Sequence, residues 1–89
     1  MKEMIMQQVK ILEVFVIDGK KYLEGYALSE LGVHVPREEK GDLFECSQER
    51  IDELVKEYTR AYPNIVIEQQ ENHKYDTKKT NNQVNNNYR

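Results

Sequence analysis

Two histidines, one cysteine and a pair of glutamates in apolar segments are the residues of this chain whose types could do chemistry. A metal site needs three or four such ligands at short, recurrent spacings. His34 and His73 lie far apart, with no cysteine or carboxylate at ligand spacing to either, and His34 between Val33 and Val35 reads as a strand histidine on a polar face. Cys46 is the only cysteine, which excludes an internal disulfide and fits a reducing compartment. Beside Phe44 in an apolar pattern, it is expected to be a small buried side chain and not a nucleophile. Glu13 and Glu24 form a carboxylate pair of the kind used in acid–base work. In so small a chain there is little room for a catalytic cleft, so solvated edge glutamates are expected instead. Gly19, Gly25, Gly32 and Gly41 are isolated from one another, so there is no glycine-rich phosphate loop. The expectation is a protein that is not an enzyme, with no catalytic residues, no metal, no cofactor and no small-molecule substrate.

Composition narrows the class further. With 89 residues, 33% charged and 38% apolar, the chain has room for one domain with one modest core. No apolar run reaches spanning length, and the start "MKEMIMQQVK" meets Gln7 and Gln8 before a signal-like region develops. No membrane partner and a cytoplasmic location are expected, and the native first residue is left open among Met1, Met4 and Met6. The net charge of −3 is unevenly spread: residues 71–89 carry +2, which leaves −5 on residues 1–70. Tyr22 and Tyr26 beside Lys20 and Lys21 resemble a base-stacking platform. An acidic body disfavours this, since affinity for nucleic acid draws mainly on cations that neutralise phosphates.

The elements that must position these residues are read from local pattern. "VKILEVFVI" (residues 9–17) is rich in β-branched residues and reads as a strand. Asp18-Gly19 is a strong hairpin signal, because both central positions of a type I′ turn need positive φ. The return strand is read from Lys20 to about Ala27. A two-residue loop sets Phe15 opposite Tyr22 but also Glu13 opposite Glu24; a bulged loop removes that acid pair, so the register is left open. Residues 29–42 hold either one helical turn capped by Ser29 or a loop, then a short strand around "VHV", a polar turn, and the strand "LFEC", the last two strands forming a second hairpin. Ser47 caps a helix over about 48–61, with Ile51, Leu54, Val55, Tyr58 and Tyr62 in one apolar stripe and Pro63 beyond its end. "NIVIE" closes the fold as a strand over about 64–68. The fold class is therefore α+β: two β-hairpins in a small, partly closed antiparallel sheet, one amphipathic helix and a closing strand. Residues 1–70 form one domain, and residues 71–89 are expected to be a disordered polar tail.

The first strand is apolar on both faces, with Val9, Ile11, Phe15 and Ile17 on one and Leu12, Val14 and Val16 on the other. One helix covers one face. Either the sheet curls into a barrel or another protein covers the second face. The residues selected for partner contact are Leu12, Val14, Val16, Tyr22, Tyr26 and Val66. A protein partner or self-association is expected ahead of nucleic acid; a third reading is an acidic inhibitor imitating a polyanion.

"KKYLEGYAL" (residues 20–28) and "FECSQERIDELV" (residues 44–55) resemble strand and cap motifs of small SH3-like β-barrel or β-roll domains in phage and prophage proteins of Gram-positive bacteria. The resemblance covers about residues 8–68, and the stretch from Ser29 to Asp42 departs from it as an insertion. It implies a virion-accessory or host-factor-binding protein, in the host cytoplasm or the virion, with no catalytic residues to carry over.

Overall fold

The computed structural model describes residues 7–76. Met1, Met4 and Met6, and residues 77–89 of the expected tail, lie outside the described residues. The chain is an α+β domain built on a mixed four-stranded sheet. The elements in order are β1 (Gln8–Ile17), β2 (Lys20–Glu24), α1 (Gly25–Glu30), a short 3-10 turn (Arg37–Glu39), β3 (Leu43–Glu45), α2 (Gln48–Ala61) and β4 (Ile65–Asn72). The sheet order is β3-β2-β1-β4, with β4 parallel to β1 and the other two pairs antiparallel. The sheet is open, not partly closed. Its closing strand makes it mixed, because α2 carries the chain from one edge across the sheet to the other.

The hairpin follows from two residues. Asp18 (φ 54°) and Gly19 (φ 79°) both occupy the left-handed region that a type I′ turn demands, and Phe15 stands opposite Tyr22 and Ile17 opposite Lys20. The turn thus settles the register as the two-residue form. Pairing between β1 and β2 extends only from Ile17 to Phe15, so the expected opposition of Glu13 and Glu24 is not part of the ladder.

The return strand is shorter than the sequence implies, ending at Glu24, with Gly25–Glu30 turning into α1. A Cβ on Gly25 would lie 2.6 Å from the Glu39 carbonyl oxygen, so only glycine lets the 37–42 loop pack here. That loop holds the helix start through Gly25 N–H to Asp42 O (2.9 Å) and Tyr26 N–H to Lys40 O (2.8 Å). Helix α1 ends at Gly32 (φ 99°), where Gly32 N–H bonds Ser29 O and Val33 N–H bonds Leu28 O, a Schellman closure. Ser29 therefore lies inside the helix and does not cap it. The expected second hairpin does not form: residues 33–36 pair with no strand among the described residues, Val35 turns into the core, and β3 pairs directly with β2.

Helix α2 obeys its sequence. Ser47 Oγ accepts from Arg50 N–H at 3.1 Å, and Ile51 and Leu54 are buried against Leu12, Val14 and Leu23, with Leu28, Val35 and Cys46 completing the core. Tyr62 departs from the stripe: it stands at the helix end, is exposed, and packs its ring against Tyr58 (4.8 Å between centroids).

Strand β4 runs past the expected boundary. Its first residues, Ile65 and Ile67, face α2, and then Gln69 and Glu71 take over the same face with polar contacts. Gln48 Nε2 donates to Gln69 Oε1 and Asp52 Oδ1 (2.8 Å each), Gln69 Nε2 donates to Asp52 Oδ1 (3.1 Å), and Lys21 reaches Gln48 (2.6 Å) and Glu71 (3.4 Å). Hydrogen bonds replace apolar burial there, which is why an apolar pattern places the strand end too early. The expected start of a tail at Glu71 therefore falls inside β4.

Candidate interaction surface

Alternation along β1 decides which of its faces is free. Leu12, Val14 and Val16 are buried toward the core, whereas Val9 and Ile11 on the opposite face are 60% and 50% exposed. Three of the residues selected for partner contact, Leu12, Val14 and Val16, are thus core residues, unavailable because α2 covers their side of the sheet. Tyr22 is half-buried, Tyr26 is exposed on α1, and Val66 is exposed on β4. Val66 is the register partner of Val9, and Ile11 follows two residues on, so Val9, Ile11 and Val66 make one apolar patch on the open face. Glu68, partner of Ile11, and Glu13 border it with acid. The sequence held a signal for this orientation: Glu13 belongs to the outward set, while the inward set of β1 has no charge between Leu12 and Val16.

The open face is covered at one end. Phe15 also points outward but is 6% exposed, because the turn after β4 brings Tyr75 over it. Asp76, buried, presents Oδ1 to the Asp18 N–H at 3.4 Å. His73 stands between Glu71 Oε1 (3.2 Å) and Asp76 Oδ2 (3.5 Å). Asn72 Nδ2 donates to Glu13 Oε2 at 2.7 Å. Both carboxylates are near His73 in sequence, two residues before and three after it, and the turn after β4 brings them to its ring.

A second feature is an unpaired edge within the sheet. Strand β1 has ten residues and β2 five, so from Gln8 to Val14 β1 is paired with β4 on one side and, among the described residues, with no strand on the other. Gln8 N–H donates to Asn64 O on the β4 side (3.0 Å), and Phe15 and Ile17 pair toward β2. Main-chain groups alternate sides along a strand, so those of Val9, Ile11 and Glu13 point away from β4. Ile11 and Glu13 border a cleft of about 200 Å³ that is also lined by Leu12, Tyr58 and Ile67 and by Tyr26, Ala27 and Leu31 of the α1 segment. Glu13 and Glu24 stand at this cleft, and Lys10 on its rim is held by Glu30 at 2.8 Å.

The Glu71 carboxyl is held below the usual range first by His73 and then by Lys21, and that of Asp52 by the amides of Gln69 and Gln48. Glu30 raises the Lys10 ammonium above its ordinary value. Burial pushes the Cys46 thiol up, with Arg50 opposing weakly, which disfavours the thiolate that a nucleophile needs. Among the described residues no group of three or more His, Cys, Asp or Glu is arranged to hold a metal ion. Among the same residues no helix is long and apolar enough to cross a membrane. No family model, no curated protein and no solved structure matches the chain.

Proposed function

We propose that the protein is a small non-enzymatic interaction module that docks on another protein through the open face of its sheet. The observation that carries this reading is the patch of Val9, Ile11 and Val66, three apolar side chains left in water beside an unpaired strand edge. Each square ångström of such surface removed from water favours association by about 25 cal/mol. Residues 7–76 carry a net charge of −6, which opposes a phosphate-tracking role for the same face. The resemblance to phage and prophage domains supplies a setting, in which the partner is a host factor or a virion component.

A photo-crosslinking residue at Ile11, compared with one at Glu53 on the outer face of α2, tests this in the cells that express the protein. Discrete protein adducts from position 11, lost on Val66→Lys, support the reading. Adducts from position 53 alone, or none from either position, overturn it.

A further inference from the structure

The cleft beside β1 has the form of a missing strand. On the side away from β4, Ile11 and Glu13 face the cleft and Val9 continues the same unpaired edge, along the line β2 would follow if it did not end at Glu24. Neighbouring strands lie about 4.8 Å apart, whereas a helix with its side chains is about 10 Å across. The unpaired main-chain groups of β1 call for an extended chain, because a helix has its own N–H and C=O groups bonded internally and cannot satisfy them.

The side chains around it specify what that chain carries. Ala27, Leu31 and Tyr58 offer an apolar surface to alternate residues of an added strand, and Ile11 offers another on the outer face. Glu13 and Glu24 stand at the end nearest the hairpin, while the one cation on the rim, Lys10, is engaged by Glu30. The site is short of positive charge. A second copy of β1 answers this poorly, because it brings its own Glu13 to the same edge.

We infer that this edge is a strand-addition site for an extended, basic segment of a partner protein, with apolar residues at alternate positions and a lysine or arginine meeting Glu13 and Glu24. The inference rests on the interaction reading and names the chemistry of the partner. Main-chain bonds to Val9, Ile11 and Glu13 supply affinity, and the two carboxylates supply polarity and register.

The test uses the full chain and two synthetic probes, acetyl-Lys-Val-Thr-Val-Thr-Lys-amide and the same peptide with glutamate at both ends. The lysine peptide is expected to slow exchange of the Val9, Ile11 and Glu13 amide protons at least tenfold, and the glutamate peptide to bind at least tenfold more weakly. Glu13→Lys with Glu24→Lys should reverse that preference. Ile11→Pro removes one donor facing the cleft without touching the β4 ladder, and should abolish protection; should it fail to fold, the charge-reversal pair still decides. Protection by both peptides alike removes the charge assignment and overturns the proposal as stated. Shifts confined to α2 or Val66, or no binding of either peptide at millimolar concentration, overturn the strand-addition site. Discrete adducts from position 11 in the crosslinking experiment would then still uphold docking, so the two failures are distinguishable.

Discussion

Tyr75 lies against Phe15 with ring centroids 5.6 Å apart and planes inclined by 29°, joining the turn after β4 to the hairpin end of β1. This stacking, with Asp76 at the hairpin turn, closes one end of a sheet face that otherwise stays in water. An aromatic pair contributes about 0.5–1.5 kcal/mol beyond its buried area. Tyr75→Ala is therefore expected to lower stability by about 1–2 kcal/mol. Urea unfolding followed by circular dichroism measures it, and an unchanged midpoint would show that the turn contributes nothing to the fold.

Leu54 on α2 is 7% exposed and packs in the same cluster as Leu12 and Val14. Leu54→Ala should cost about 2–5 kcal/mol, the usual range when a buried leucine leaves a cavity. Tyr62→Ala at the exposed end of the same helix should cost less than about 1 kcal/mol. Equal midpoint shifts for the two variants would contradict the assigned orientation of the helix.

Gly25 tests the reading of α1. A Cβ there meets the Glu39 carbonyl oxygen at 2.6 Å and the Lys40 Cα at 2.8 Å, both backbone atoms that yield little. Gly25→Ala is expected to destabilise by about 1–3 kcal/mol, as overpacking does. Gly41→Ala, where an added Cβ meets nothing within 4 Å, serves as the tolerated control. Thermal midpoints of the pair give the comparison.

Acid should loosen the attachment of β4 to the helix. His73 and Lys21 hold the Glu71 carboxyl below its ordinary value, and two amides do so for Asp52. A carboxyl whose folded value lies below its unfolded one stabilises the fold above the unfolded value, roughly pH 4, and loses that contribution as pH falls through the folded value. Glu71→Gln and Asp52→Asn should therefore flatten the fall in urea midpoint below about pH 4.5. A fall as steep as in the parent protein would mean that other groups govern acid sensitivity.

Sedimentation at tens of micromolar tests the occupant of the open face. The patch of Val9, Ile11 and Val66 is small beside the roughly 800 Å² per partner that a stable dimer buries, so a monomer is expected. A dimer dissolved by Ile11→Lys would assign the face to a second copy of this chain.

Local chemistry by itself determined the parts of this fold that depend on few neighbours. Asp18-Gly19 specified its turn because few residue pairs accept two positive φ values, Ser47 specified a helix start by satisfying an orphan N–H, and Pro63 limited its end. The candidate site was legible only as a strand apolar on both faces. Which face entered the core was decided by where α2 lies, and that placed Leu12, Val14 and Val16 inside and left Val9 and Ile11 outside. The length of β4 was likewise a tertiary matter, because Gln69 and Glu71 are held by bonds to Gln48, Asp52 and Lys21, residues far away in sequence. So was the open edge of β1, since Gly25 ends β2 through a close approach of the 37–42 loop that no local pattern announces. Turns and caps depend on the torsions and hydrogen bonds of adjacent residues, whereas strand extent and exposed edges depend on which distant segments meet.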